Sequence, residues 1–181
     1  EASTAVALLF GYLKHAAKNE FVVQKAVELG VKKIVAFSSA YSSAYMNENK
    51  LERLNRVSRE SAKQCLRSVA PAVEYYPDLE SALRSAAGYR HKLFACEFAQ
   101  TSEADVSALS GSTALVVGSE GGFSREEAEL ARALGYAPVT LGKRILRAET
   151  AAVALTSVVM FALGELGLDG GREASKEEKD R

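Results

Sequence analysis

Apolar stretches rich in β-branched residues alternate with amphipathic stretches of helical period along most of the chain. Residues 4–10 read as a buried strand, residues 19–29 as a helix closed by Gly30, and residues 33–37 as the next strand. Lys25 and Glu28 stand three apart on that helix, the spacing of an intrahelical ion pair. Residues 38–49, with four Ser, two Tyr and two Asn, predict an exposed loop. A helix over 51–69 follows, carrying Leu51, Leu54, Val57, Ala62 and Leu66 broadly on one side and Arg53, Arg56, Arg59, Lys63 and Arg67 on the other. Next come a short strand at 73–76, a short helix at 79–86, an apolar strand at 92–96 and a helical turn at 102–109. The pattern then gives a strand from Thr113, a helix to Leu134, a short strand at 138–141 and a long helix over 149–163. Roughly six strands joined by helical crossovers predict an α/β fold, a mostly parallel sheet with helices on both faces.

The last of these helices is apolar nearly all round, from Ala151 through Val158, Met160 and Phe161 to Leu163. Such a helix must be covered on more than one side. The sheet of one subunit covers one face, and a second copy is the natural cover for another, which predicts a homodimer. One domain over 1–166 and a polar tail over 167–181 complete the reading.

The chemistry concentrates in residues 113–151. An apolar run from Thr113 enters the turn Gly118-Ser119-Glu120-Gly121-Gly122-Phe123-Ser124, where residues without a Cβ tolerate positive φ and let backbone N–H groups face a ligand closely. Ser124 and Glu127 have capping-box spacing, so a helix starts at this turn, and Gly135 ends it. After the next short strand the chain turns again, at Leu141-Gly142-Lys143-Arg144-Ile145-Leu146-Arg147, before the long apolar helix opens near Glu149 and Thr150. Three cations beside two exposed apolar residues suit a pocket for a polar, partly aromatic ligand next to an anionic partner. Either loop alone also reads as an ordinary strand-to-helix turn or a charged surface loop. Two in succession, with such different chemistry, favour a site at the strand ends.

Two familiar glycine motifs do not fit. A phosphate-binding P-loop needs Lys and then Ser or Thr after its last Gly, whereas Phe123 and Ser124 follow Gly122. A dinucleotide fold needs an acidic residue ~20 positions on, where Leu141 and Gly142 stand, followed by Lys143 and Arg144. An Arg there suits a 2′-phosphate, so an NADP-type oxidoreductase stays open, as does a non-catalytic dimeric RNA-binding module.

The loop 118–124 and the run Leu141-Gly142-Lys143-Arg144-Ile145-Leu146-Arg147-Ala148-Glu149-Thr150-Ala151 resemble the two signature loops of the RsmE family. Gln24-Lys25-Ala26-Val27-Glu28-Leu29-Gly30-Val31 and Glu60-Ser61-Ala62-Lys63-Gln64-Cys65-Leu66-Arg67 resemble family segments in the same order. The family comprises SPOUT-class, S-adenosylmethionine-dependent enzymes that methylate N3 of a uridine in 16S ribosomal RNA of the small ribosomal subunit. The resemblance therefore implies a C-terminal trefoil knot that binds S-adenosylmethionine in a bent form, and a homodimer that completes the active site. It also implies cofactor contacts at Gly118, Glu120, Gly121, Gly122, Leu141, Gly142, Ile145, Leu146, Thr150 and Ala151. Glu97, at the end of the strand over 92–96, is placed to hold a ribose hydroxyl or to face solvent.

Two departures stand out. The family usually has Pro where this chain has Ser119, which predicts a less rigid turn, and an Arg-Ser pair where it has Tyr41-Ser42, which removes a cation facing RNA. Family members also carry an N-terminal PUA-like RNA-binding domain, for which this sequence shows no counterpart.

Composition fits one globular domain, with 48% hydrophobic and 25% charged residues among 181. Zero formal net charge argues against gripping nucleic acid by bulk electrostatics, though a local basic loop acts where the average is neutral. Cys65 and Cys96 are isolated, suggesting neither disulfide nor zinc, and no run approaches a membrane span, so the expected setting is the cytoplasm. Methyl transfer needs no metal. In the implied chemistry Arg147 stabilises negative charge developing on the uracil oxygens, and Glu149 orients that Arg or accepts a proton through water. Arg144, Gln64 and Arg67 are the expected RNA contacts, and the loop over 38–49 lies where it can touch RNA. His15 and His91 fall outside the motifs, which leaves no evident general base.

Overall fold

The computed structural model describes residues 1–96 and 101–168. Strands β1 (Val6–Gly11), β2 (Lys33–Phe37), β3 (Val73–Tyr76), β4 (His91–Ala95), β5 (Thr113–Val117) and β6 (Ala137–Val139) form one sheet in the order β3-β2-β1-β5-β4-β6. Every neighbouring pair is parallel. The helices are α1 (Ala16–Glu28), α2 (Glu48–Gln64), α3 (Leu79–Arg84), α4 (Arg125–Ala133) and α5 (Ala148–Ala162), with a 3-10 turn at Val106–Ala108.

Alternate residues of the central strands serve two cores. Val6, Leu8 and Phe10 of β1 pack with α1, α2 and α5, while Ala7 and Leu9 pack with α3 and α4. Burial on both faces is why these strands read as unbroken apolar runs rather than as alternating ones. β1 and β5 lie side by side, yet the chain leaves β1 for α1 on one face and β5 for α4 on the other. The end of β1 is closed by the loop after β5, since a Cβ on Gly11 would lie within 3.0 Å of the Gly118 and Ser119 backbone, and the open space at the carboxyl edge of the sheet, the general ligand position in such sheets, lies on the β4 and β6 side of β5. From the edge strand β6, α5 returns across the middle of the sheet to pack on β1, β5 and α1.

Local signals hold at several points. Ser124 Oγ accepts from Glu127 N at 3.1 Å while Glu127 Oε2 accepts from Ser124 N at 2.9 Å, the reciprocal capping box. Lys25 and Glu28 pair at 2.7 Å.

Among the boundaries that differ from the pattern, those of three elements matter here. β1 starts at Val6 rather than residue 4. α1 begins at Ala16, because Asn19 is an interior residue and not the cap that its type suggests. Its fully buried amide accepts from Leu13 N and donates to the carbonyls of Leu13 and His15, so it fastens the loop before the helix. α2 starts early, capped by Asn47, and stops at Gln64 instead of running to residue 69. Leu66 takes φ 61° with its side chain exposed, Leu66 N reaches Lys63 O and Arg67 N reaches Ala62 O. This is a Schellman closure built on Leu where Gly is usual.

The early stop redirects Arg67. Its guanidinium donates to the carbonyls of Val27 and Val31, at 3.0 and 2.9 Å, and pairs with Glu1 at 2.8 Å. With only 9% of its side chain exposed, Arg67 ties α2 to the end of α1 and is not part of a cationic face offered to RNA. Glu97 and most of the polar tail, residues 169–181, lie outside the described residues. No helix among the described residues is long and apolar enough to cross a membrane.

Candidate active site

The carboxyl ends of β4, β5 and β6 open into one cavity of about 1000 Å³. Two loops form most of its wall, 118–123 after β5 and 140–147 after β6. The turns near Gly122 and Ile145, remote in sequence, thus face one space. Ala151 of α5 and Lys18 of α1 complete it, and Ala95 and Cys96 close the end beneath β4.

The turn after β5 is held from several sides. A Cβ on Gly118 would lie 3.0–3.1 Å from the backbone of Gly122, so the loop closes on itself only because Gly118 has no side chain. Gly122 N donates to Ser119 O at 2.9 Å. Ser119, where Pro was the resembling residue, is buried and places its hydroxyl 3.3 Å from that of Ser39. Glu120, on the cavity wall, also accepts from Lys14 N at 3.1 Å, which joins the turn to the loop after β1.

The second loop is open and cationic. Gly142 turns at φ 98°, a conformation that disfavours any residue with a Cβ. Lys143, Arg144 and Arg147 are exposed, line the cavity and take part in no ion pair among the described residues. Ile145 is 93% exposed and Leu146 is partly buried. Arg147 is the N-cap residue of α5, with extended backbone and no side-chain capping bond, so its guanidinium is free to reach into the cavity.

Glu149 pairs with a residue outside the two loops. Its Oε1 lies 3.2 Å from Lys18 Nζ, and its Oε2 is buried without a hydrogen-bond partner. Burial alone would raise this carboxyl, but its own backbone N–H, the Lys18 ammonium and the more distant Arg147 charge outweigh burial and hold it below the ordinary 4.5. A carboxyl so held is a poor proton acceptor near neutrality.

Residues 1–160 match the RNA methyltransferase domain family. The chain belongs to that family. It is 37% identical over 139 residues to ribosomal RNA small subunit methyltransferase E of Mesomycoplasma hyopneumoniae, across 75% of this chain and 61% of the relative. The chain spans about three fifths of the length of the curated relatives it matches. A methyltransferase of Legionella pneumophila, solved with S-adenosylmethionine bound, superposes with a TM-score of 0.80 at 30% identity, over 90% of this chain and 68% of that one. Ribosomal RNA small subunit methyltransferase E of Neisseria gonorrhoeae, also bound to S-adenosylmethionine, gives 0.78 at 27% identity with the same coverage.

In this RNA methyltransferase domain, the cavity wall gathers most of the residues that the two sequence motifs single out. Gly118, Glu120, Gly122, Leu141, Gly142, Arg144, Ile145, Leu146, Arg147 and Ala151 all lie on it. Gly121 and Thr150 are exposed and stand just off the wall. Gln64, the exposed last residue of α2, belongs to a separate groove with Glu20, Phe21 and Gln24 of α1. Lys18 is a charged wall residue that no motif announced, since its partner Glu149 is remote in sequence and only the packing of α1 on α5 brings them together.

Proposed function

We propose that the chain is an S-adenosylmethionine-dependent methyltransferase domain acting on N3 of a uridine in 16S ribosomal RNA, and that it works as a homodimer. The observation that carries this reading is the meeting of the two signature loops in one cavity. The fit to the cofactor rests on chemistry already present there. The close backbone approach at Gly118 and Gly122 presents peptide groups without side chains, and Val117, Val139, Leu141, Leu146 and Ala151 supply an apolar lining for an adenine ring. The trefoil threading that the family resemblance implies is part of the same proposal.

When bound, S-adenosylmethionine supplies an electrophilic methyl group on a sulfonium. The protein's part is to orient the uracil, to favour loss of the N3 proton and to stabilise the charge left on the ring oxygens. Arg147 suits the last task, since it takes part in no ion pair among the described residues and stands at the cavity wall. Lys143 and Arg144 suit RNA phosphates, a locally cationic rim on a chain with no net charge. Neither His15 nor His91 lines the cavity.

The exposed apolar residues of α5, Val158 at 47% and Phe161 at 64%, support the dimer. The test is calorimetric titration with S-adenosylmethionine and, separately, NADPH, followed by transfer of labelled methyl to unmethylated small ribosomal subunits. Saturable binding of S-adenosylmethionine alone, with label in N3-methyluridine, is the expected result. In Arg147→Ala, binding persists and transfer falls about a hundredfold or more. Binding of NADPH instead, or equal turnover by Arg147→Ala, overturns the assignment.

A further inference from the structure

The loop joining β2 to α2 is built onto the Gly-rich turn. Glu127, after completing the capping box, accepts from Ala40 N at 2.7 Å. Ser39 meets Ser119 hydroxyl to hydroxyl at 3.3 Å, and Ser39 N donates to Ser42 Oγ at 2.8 Å. Tyr41 lies close enough to Gly121 that a Cβ there would come within 2.6 Å of the Tyr41 Cβ and 3.3 Å of its Cγ. The two departures from the family pattern thus lie on opposite sides of one contact between loops, Ser119 against Ser39 and Tyr41 against Gly121.

That contact exposes aromatic surface beside the cavity. Tyr41 remains 55% exposed and Tyr45 83% exposed, and neither hydroxyl has a hydrogen-bond partner among the described residues. The position of Tyr45 is fixed from behind by Lys50 Nζ, which donates to Tyr45 O at 2.6 Å, and by the Asn47 cap. Gly121 is flanked by Glu120 and Gly122, both on the cavity wall, and across that cavity stand Lys143, Arg144 and Arg147.

We infer that Tyr41 is a stacking surface for an unpaired RNA base next to the nucleotide that enters the cavity. The inference rests on the proposed RNA substrate and names a subsite for it. A target base reaches a pocket only when unstacked, which strands its neighbour without a stacking partner. An exposed phenol ring offers a replacement face whatever the base, while cations across the cavity hold the phosphates.

The chain contains no Trp, so Tyr41→Trp introduces a single reporter. Its fluorescence should be quenched saturably by a single-stranded ten-nucleotide oligouridine and not by inorganic phosphate. On unmethylated small subunits, Tyr41→Ala and Tyr41→Leu should raise KM for the ribosomal substrate about tenfold to a hundredfold, with kcat and S-adenosylmethionine affinity near those of the parent. Tyr41→Phe should match the parent. An unquenched Trp, an unchanged KM in Tyr41→Ala, full retention by Tyr41→Leu, or a loss confined to cofactor affinity or dimer assembly overturns the inference. Quenching by RNA in a protein that never transfers a methyl group would instead sink the proposed activity and leave the stacking surface standing.

Discussion

Lys18 on α1 and Glu149 on α5 meet in an ion pair of 3.2 Å at the edge of the cavity, the acid 16% exposed and one of its oxygens buried without a partner. The pair fastens the first turn of α5, and with it the Arg147 that begins the helix, to the helix leaving β1. In Lys18→Ala a largely buried carboxylate loses its only ion-pair partner among the described residues, which should lower stability by about 1–3 kcal/mol. Because the folded-state carboxyl sits below the ordinary 4.5, its contribution is complete above that value and is lost as pH falls through the lower folded one. The gap in urea midpoint between parent and Lys18→Ala should therefore be widest at neutral pH and shrink in acid. A gap independent of pH would mean that the ammonium contributes only packing.

Gly118 and Gly142 separate two reasons for glycine within one site. At Gly118 the obstacle is space, since an added Cβ meets the Gly122 backbone at 3.0 Å. At Gly142 the surroundings are open and the obstacle is φ 98°. Gly118→Ala should push the turn open, costing about 1–3 kcal/mol of stability and at least tenfold in cofactor affinity. Gly142→Ala should cost only about 1 kcal/mol of strain. Paired thermal melts and titrations with S-adenosylmethionine check this, and equal losses in both variants would count against a closed turn after β5.

The strands, both signature loops and the capping box were legible in the sequence because each is fixed by neighbours within a few residues. Ser124 and Glu127 are three apart, and β1 and β5 announce their burial on both faces by apolar runs. What escaped was set by packing. Asn19 looks like a cap but is consumed by the backbone of the loop before α1. Leu66 occupies a left-handed position that favours Gly, so nothing local marks the end of α2. Lys18 joined the site only through its distant partner, and the contacts of Ser119 with Ser39 and of Tyr41 with Gly121 required two loops to be brought together.

The shortened α2 changes what Arg67 should do. Its guanidinium satisfies two carbonyls at the end of α1 and is almost fully covered. Arg67→Ala leaves both acceptors without that donor, and the expected cost is about 2–4 kcal/mol of stability. Affinity of the folded variant for ribosomal RNA should stay within about twofold of the parent. Chemical denaturation and filter binding at a temperature where both proteins are folded check the two halves. A stable variant with weakened RNA binding would restore Arg67 to an RNA-facing role.

The outer face of α5 provides the test of assembly. Ala152, Leu155 and Val159 are buried within the subunit, whereas Val158 and Phe161 present apolar surface to solvent on the same helix. An apolar helix left half covered gains roughly 1.5–3 kcal/mol for each large side chain it buries against a second copy. Phe161→Asp removes that gain and adds a charge that a dry interface would have to desolvate. Sedimentation velocity should show the parent as a dimer and Phe161→Asp as a monomer with an unchanged circular dichroism spectrum. If the active site needs both copies, methyl transfer falls with dissociation and recovers at protein concentrations that restore the dimer. A parent chain that sediments as a monomer at every concentration, or a monomeric Phe161→Asp with full turnover, separates the activity from dimerisation.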